Sequence, residues 1–169
     1  LSKLSLDKVP FYFEKIKAKD FFEEYTAYAA DTLGEAGIEF IYNFECDEDR
    51  EINIDPAQFK RVLNNLIDNS RKYGAENGEA KIMLSVRNGE DGHTEISIED
   101  NGQGVPADER DKIFETFYRG DKARTGHKNG SGLGLAITKQ ITDRHGASIR
   151  ADESELGGLK VIIDLPQAK

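Results

Sequence analysis

Apolar and polar residues alternate along this chain with two periods, one typical of helices and one typical of strands. The first helical stretch starts at Asp20, which together with Glu23 resembles a capping box, and it ends at Gly37. Its predicted apolar face contains Phe21, Tyr25, Tyr28, Thr32, Leu33 and Ala36. Residues 1–6 begin abruptly on apolar periodicity, so we expect residues 1–19 to be the tail of an upstream dimerisation region and a linker. Residues 20–169 are then expected to form one domain.

A second helix is predicted after Asp55. Asp at the N-cap, Pro56 at the first position and Gln58 at the third form a strong helix start. The helix is expected to run to about Gly74, with an apolar face made of Phe59, Val62, Leu63, Leu66, Ile67 and Tyr73.

The remaining periodicity predicts a helix over residues 133–145, a short helical piece over residues 108–117, and five strands. The predicted strands are residues 38–46, 81–86, 94–100, 148–151 and 159–165. Cys46 shares the inward parity of the first strand, which predicts a packed thiol. Together these elements predict an α/β (α+β) two-layer sandwich, a mixed β-sheet packed on about three helices.

Composition and charge limit the classes of function that fit this chain. The chain has 169 residues, the size of one domain, and a formal net charge of −9, which argues against a nucleic-acid groove. A single cysteine fits a reducing compartment. No apolar run approaches the roughly 20 residues that span a bilayer. We therefore expect a cytoplasmic domain that makes no membrane contact of its own.

Polar residues on the second helix form the first candidate site. At about 100° per residue, Asn65, Asn69 and Lys72 share a narrow stripe beside the apolar face. Two amides and an ammonium could serve a hard cation and a phosphate. A solvated helix face explains this cluster equally well on its own.

Asp100 marks the second candidate site. It has the parity of Ile96 and Ile98, so its carboxylate points toward the core at the end of a strand and requires a hydrogen-bond donor, for which an exocyclic amine is suitable. Gly102 and Gly104 would let the backbone turn against a flat ligand. An ordinary turn explains these glycines but not the parity of Asp100. The same stretch matches a dinucleotide pattern, which we discount because no long helix or βαβ unit follows.

Two further clusters follow along the chain. The first is the Gly-rich run before the third helix, which contains Gly130, Ser131, Gly132, Leu133 and Gly134. Its free N–H donors at a helix N-terminus would form a phosphate cradle. A flexible joint explains the run as well.

The second cluster precedes this run in the sequence. Phe114 and Phe117 are most simply packing contacts. Arg119 opens a polar segment, residues 119–129, that is typical of a loop or lid, and it could clamp a phosphate or be a solvated charge.

In this order and spacing, the four clusters resemble the N, G1, F and G2 boxes of the catalytic domain of sensor histidine kinases. The resemblance extends over residues 20–166. It implies the Bergerat ATP-binding fold, shared with gyrase, Hsp90 and MutL, with ATP and Mg²⁺ as cofactors. Ser70 stands where this family often has Ala, and Ala147 where a second Gly is common.

The resemblance also implies roles for individual residues. Asn69 is expected to ligate Mg²⁺, and Asp100 to accept a hydrogen bond from the adenine amine. Residues expected to act in catalysis are Asn65, Lys72 and Arg119. Other expected nucleotide contacts are Tyr73, Gly102, Gly104, Phe114, Lys128, Gly130, Ser131, Gly132, Leu133 and Gly134.

Position 65 favours phosphotransfer over hydrolysis. ATP-hydrolysing relatives have a Glu four residues before the metal-binding Asn, whereas this chain has Asn65, and an amide cannot take a proton from water. None of the three histidines, His93, His127 and His145, begins the family's phosphoacceptor pattern. We therefore expect the acceptor to lie on a missing dimerisation domain. A degenerate nucleotide-binding regulatory module and a gyrase- or Hsp90-type ATPase remain the alternatives.

The resemblance further implies partners for the full-length protein. A response regulator would receive the phosphoryl group, and the full-length kinase would be anchored in the bacterial cell membrane. Because dimerisation in this family comes from the other domain, the fragment itself is expected to be monomeric.

Overall fold

The structure is a computed structural model that describes residues 7–72, 79–115 and 134–169. Its helices are α1 (Ala18–Glu35), α2 (Pro56–Lys72) and α3 (Gly134–Arg144). Its strands are β1 (Glu14–Lys17), β2 (Glu39–Glu45), β3 (Glu51–Ile54), β4 (Lys81–Asn88), β5 (Thr94–Asp100), β6 (Ser148–Glu153) and β7 (Leu159–Leu165).

The main sheet has five strands in the order β2-β4-β5-β7-β6. β2 pairs parallel with β4, and the other three pairings are antiparallel, which makes the sheet mixed. One sheet face and the three helices enclose the core. The predicted two-layer sandwich is therefore confirmed.

Strand alternation determines which residues enter this core. Inward-facing residues of the three central strands are almost fully buried; they are Ile82, Leu84, Val86, Ile96, Ile98, Val161, Ile163 and Leu165. Each is β-branched or Leu, which packs well on a pleated surface. Asp100 continues this inward series at the end of β5 and is only 3% exposed.

Several predicted bounds agree with the structure. β5 and β7 have the predicted ends, β4 and β6 are each two residues longer, and β2 is one residue shorter at each end. α3 begins and ends one residue inside its predicted bounds. The helical prediction for residues 108–117 was mostly wrong over its described part, because only Ala107–Glu109 form a 3₁₀ turn and residues 110–115 are not helical. Residues 116 and 117 lie outside the described residues.

The start of α1 was predicted wrongly. The helix begins at Ala18, two residues before the predicted start at Asp20. The Ala18 N–H has no acceptor within the helix, and it donates instead to the carbonyl oxygen of Arg50 at 2.9 Å, which a sequence pattern does not reveal. Tyr28 and Thr32, assigned to the apolar face, are exposed, whereas Phe22 is fully buried.

A two-stranded antiparallel sheet formed by β1 and β3 was not predicted from the sequence. Each strand has four residues, too few for a clear alternation, yet Ile52 and Ile54 of β3 are almost fully buried. Val9 and Phe11 also pack on the core. The assignment of residues 1–19 to an upstream region stays a prediction, and the structure adds that residues 9–17 pack on this domain.

Within the described ranges, no helix is long and apolar enough to cross a membrane.

Candidate functional site

Asp100 closes β5 with its carboxylate inside the domain. Oδ1 accepts hydrogen bonds from the main-chain N–H of Gly102 at 2.9 Å and of Leu159 at 3.2 Å. The hydroxyl of Ser70 donates a third hydrogen bond to the carboxylate. A carboxylate has about four acceptor positions, so partners among the described residues use three of them. The fourth can accept from a ligand N–H.

Burial raises the pKa of Asp100, because the charged form is poorly solvated inside the domain. The hydrogen bonds from Gly102, Ser70 and Leu159 oppose this shift, and the nearby Glu99 adds to it. These donors are therefore what makes a buried carboxylate tolerable at this position.

Ser70 connects Asp100 to α2. It is 5% exposed and follows Asn69 directly, so its hydrogen bond to Asp100 brings the polar stripe of α2 next to the end of β5. From the sequence, Ser70 was notable only as a departure from a common Ala. The inward parity of Asp100 was the signal that could have suggested a buried donor opposite it.

Gly158, which the sequence analysis did not select, completes the surroundings of Asp100. Its N–H donates to the carbonyl oxygen of Asp100 at 3.0 Å. A Cβ on Gly158 would collide with Oδ1 of Asp100 and with the nitrogen of Gly102, so only glycine fits here. Gly104 has a φ of +70° and lies against the Gly158 main chain, which places the predicted pocket glycines beside the β6–β7 turn.

Asn65 connects α2 to α3. Its Nδ2 lies 3.3 Å from the carbonyl oxygen of Gly134 and 3.2 Å from Oγ1 of Thr138. The hydroxyl of Thr138 donates in turn to the carbonyl oxygen of Gly134 at 2.9 Å. The structure thus brings together Asn65 and Gly134, two residues predicted from different clusters.

Asn69 and Lys72 continue the stripe that begins at Asn65. All three lie on α2, with Asn65 and Asn69 half-buried and Lys72 exposed at the last helical position. The described residues contain no group of three or more His, Cys, Asp or Glu that could hold a metal by itself. Mg²⁺ typically binds one or two protein oxygens together with substrate phosphates, so a single amide oxygen fits the predicted ion.

Phe114 packs against the hydrophobic core and is half-buried, as the simplest interpretation of that residue predicted. Seven predicted site residues lie outside the described residues, and their assignments stay predictions. They are Tyr73, Arg119, Lys128, Gly130, Ser131, Gly132 and Leu133.

His145 is held inside the domain, away from any role as a free acceptor. It is 7% exposed, with Nδ1 2.8 Å from the carbonyl oxygen of Ile141 and Nε2 3.1 Å from the main-chain nitrogen of Asp55. His93 lies 3.0 Å from the carboxylate of Asp164. Both rings therefore have structural partners, and His127 lies outside the described residues.

A family model described as "Histidine kinase-, DNA gyrase B-, and HSP90-like ATPase" matches residues 54–169, which contain every site residue named above. The chain belongs to this family. Characterised relatives include sensor histidine kinases, so within the family it is a domain of the histidine-kinase catalytic, ATP-binding type.

The relatives include WalK proteins of two bacterial genera. The sensor histidine kinase WalK of Bacillus subtilis (strain 168) is 41% identical over 132 residues, covering 78% of this chain and 21% of that protein. The sensor protein kinase WalK of Staphylococcus haemolyticus is 43% identical over 114 residues, covering 67% of this chain and 18% of that protein. The chain thus spans about a fifth of the length of these relatives.

Solved structures agree with this membership. A mycobacterial sensor histidine kinase, MprB, superposes with a TM-score of 0.73 at 26% identity, covering 92% of this chain and 97% of that one. The ATP-binding domain of PrrB from Mycobacterium tuberculosis gives a TM-score of 0.70 at 26% identity, covering 93% and 98%. Full-length ShkA, solved with AMPPNP, shares the fold with a TM-score of 0.79 at 22% identity, covering 99% of this chain and 34% of that one.

Proposed function

We propose that this domain binds ATP with Mg²⁺ and transfers the γ-phosphoryl group to a histidine on a separate dimerisation domain of a two-component system. The observation that carries the proposal is that residue 65 is Asn. An amide lies at the position where ATP-hydrolysing relatives have a general base, and its NH₂ is held by Gly134 and Thr138.

Recognition of adenine would rest on Asp100. Its carboxylate is fixed by Gly102, Leu159 and Ser70, and one acceptor position is left for the exocyclic amine. Because the carboxylate is buried, a donor that completes its hydrogen bonding gives more binding energy than it would in water. Gly104 would let the main chain approach the flat base.

Phosphate binding would rest on the stripe of α2. Asn69 would supply an amide oxygen to Mg²⁺, with Asn65 one turn earlier and Lys72 at the end of the helix as a positive charge. Mg²⁺, when bound, would neutralise charge on the phosphate oxygens. Gly134 and the predicted glycines before it would cap the phosphates, and Lys128 and Arg119 would contact them.

Transfer to histidine requires less of this domain than hydrolysis does. An imidazole is already nucleophilic at neutral pH, whereas water must lose a proton to a base. Asn65 cannot supply that base, since an amide does not accept a proton near neutrality. The domain's contribution would then be positioning and charge stabilisation of the γ-phosphoryl group.

The partners follow from the same proposal. No histidine of this chain begins the phosphoacceptor pattern, so the acceptor would lie on the dimerisation domain. A response regulator would receive the phosphoryl group from that histidine. The isolated domain would be monomeric, because dimerisation would come from the other domain. In the full-length kinase, which would be anchored in the membrane, this domain would lie in the cytoplasm.

Calorimetry tests the proposed nucleotide site. ATP is expected to bind more tightly with Mg²⁺ than with EDTA. Asn69→Asp is expected to abolish binding with the fold intact, because it adds a negative charge beside the triphosphate. ATP affinity that depends on neither Mg²⁺ nor Asn69 would contradict the proposal. Steady phosphate release without an acceptor would instead favour the ATPase alternative.

A further inference from the structure

Thr138 lies on α3 with a fully buried side chain, opposite the polar stripe of α2. Its hydroxyl takes part in two contacts, one with the carbonyl oxygen of Gly134 at 2.9 Å and one with Nδ2 of Asn65 at 3.2 Å. Asn65 Nδ2 also reaches the Gly134 carbonyl at 3.3 Å. The three groups form a closed triangle between the two helices.

The inventory of donors and acceptors fixes the direction of each contact. A hydroxyl has one hydrogen, and Thr138 gives it to the Gly134 carbonyl, which can only accept. Toward Asn65, both the Thr138 oxygen and the Gly134 carbonyl are therefore acceptors. The Asn65 amide must present its NH₂ to α3, because the flipped amide would bring its oxygen against two other oxygens.

The orientation of the amide has a consequence for the site. Nitrogen and oxygen lie on opposite sides of a planar amide, so binding the NH₂ to α3 directs Oδ1 of Asn65 away from that helix. We propose that Thr138 is a positioning residue for nucleotide binding. It orients Asn65 so that Oδ1 faces the Mg²⁺ bound at the phosphates of the nucleotide. This inference rests on the proposed function, because it assigns the oriented oxygen to the Mg²⁺ that accompanies the phosphates.

Thr138→Val tests the proposal, because it removes the hydroxyl with almost no change of shape. Thr138→Ser restores the hydroxyl. Thr142→Val is a matched control: Thr142 is also fully buried, lies one turn later on α3, and donates to the carbonyl oxygen of Lys139 rather than contacting Asn65. If Thr138→Val does not fold, Thr138→Ala removes the same hydroxyl without adding bulk.

The first readout is ATP affinity with Mg²⁺ and with EDTA. Thr138→Val is expected to weaken binding of MgATP about fivefold, the size of one net hydrogen bond, and to leave ATP affinity in EDTA unchanged. Thr138→Ser should recover wild-type affinity, and Thr142→Val should not differ from wild type. Equal weakening with and without Mg²⁺ would overturn the proposal, because it would indicate a general packing effect.

The second readout is the side-chain NH₂ resonance of Asn65 by NMR, without nucleotide. In Thr138→Val this resonance should shift and its hydrogens should exchange faster, while Thr142→Val leaves it unchanged. An unmoved resonance would overturn the proposed orientation. A moved resonance with unchanged MgATP affinity would overturn the positioning role. A wild-type domain that bound no ATP would instead refute the proposed function, and the resonances would still report the orientation by itself.

Discussion

The main-chain N–H of Asp55 donates a hydrogen bond to Nε2 of His145 over 3.1 Å, joining the start of α2 to the end of α3. A reciprocal capping box would give this N–H to the side chain of Gln58, but Oε1 of Gln58 has no partner among the described residues. Asp55 completes the junction with its carboxylate, which accepts from the N–H groups of Gln58 at 3.0 Å and Tyr12 at 2.8 Å.

This junction predicts a pH dependence of stability. Burial lowers the pKa of His145, because the charged ring is poorly solvated inside the domain, and the positive charge of Arg144 adds a smaller decrease. The hydrogen bond to the Ile141 carbonyl and the charge of Asp55 oppose this shift. Nε2 can accept from the Asp55 N–H only while the ring is neutral. In the unfolded chain the imidazole of His145 binds a proton near pH 6.5, whereas in the folded chain it binds that proton only at lower pH. The contribution of His145 to the free energy of unfolding is therefore fully present above about pH 6.5 and is lost as pH falls toward the lower pKa of the folded state.

Urea unfolding at a series of pH values, comparing wild type with His145→Phe, measures this effect. Phe keeps an aromatic ring beside Phe13 and Phe59 but leaves the Asp55 N–H without its acceptor, at a cost of about 1–3 kcal/mol. The loss below about pH 6.5 should shrink in His145→Phe and persist in a His93→Gln control. An identical pH profile in wild type and His145→Phe would refute this explanation.

Asp100→Asn should abolish recognition of adenine while keeping the fold. The Asn oxygen can still accept from Gly102 and Leu159, and its NH₂ can donate to Ser70, whose hydroxyl rotates. That NH₂ then meets the adenine amine donor to donor, so we expect ATP affinity to fall about a hundredfold. Thermal unfolding should show no loss of stability, since a buried charge is removed.

A neighbouring carboxylate provides the control for Asp100→Asn. Glu99 is as buried as Asp100 but points to the opposite face of β5, where it accepts a hydrogen bond from the hydroxyl of Ser154. Glu99→Gln keeps an acceptor for that hydroxyl. ATP affinity should be unchanged in Glu99→Gln. Inosine triphosphate, which lacks the amine, should bind wild type weakly and lose little further affinity in Asp100→Asn. Equal loss for both nucleotides would argue against the assigned hydrogen bond.

Ser70→Ala should move the acid limit of nucleotide binding to higher pH. The Ser70 hydrogen bond lowers the pKa of Asp100 against the larger effect of burial, so its removal raises that pKa further. Binding that needs the ionised carboxylate then fails earlier as pH falls. ATP affinity measured over a pH series in both proteins checks this, because the titration of ATP itself is common to both. Superimposable curves would show that Ser70 does not set the ionisation of Asp100.

Gly158→Ala should damage the fold and the site together. Its Cβ would collide with Oδ1 of Asp100, so the β6–β7 turn or the carboxylate must shift. Gly157→Ala separates this collision from backbone strain: Gly157 has a φ of +107°, but a Cβ added there would have open space around it, with no described atom within 4 Å. We expect both variants to be destabilised, by about 1–2 kcal/mol in Gly157→Ala, and only Gly158→Ala to lose ATP affinity. Normal ATP binding by folded Gly158→Ala would contradict the assigned contact.

The sequence was most informative where periodicity extends over many residues. The seven-residue alternation of β5 predicted both of its ends and the inward direction of Asp100. The Asp55–Pro56 start of α2 was predictable because its chemistry is local, and the Gln58 N–H does reach Asp55. Pairings of short strands, such as β1 with β3, depend on partners distant in sequence and leave little pattern in four residues.

The supporting residues of the site were not predictable for the same reason. Ser70, Thr138 and Gly158 each act on a residue far away in the sequence, through contacts that exist only once the helices and the β6–β7 turn pack together. Nothing in the local sequence distinguishes Ser70 or Thr138 from other small polar residues on a helix.

An assay of phosphotransfer between separate chains tests the proposed histidine kinase activity itself. This domain would be incubated with Mg²⁺, ATP labelled in the γ-phosphate, and a dimerisation domain that carries a phosphoacceptor histidine. We expect acid-labile, base-stable label on the acceptor histidine, none on this domain, and little free phosphate when the acceptor is omitted. Free phosphate released at the same rate with or without the acceptor, and no label on the histidine, would contradict it.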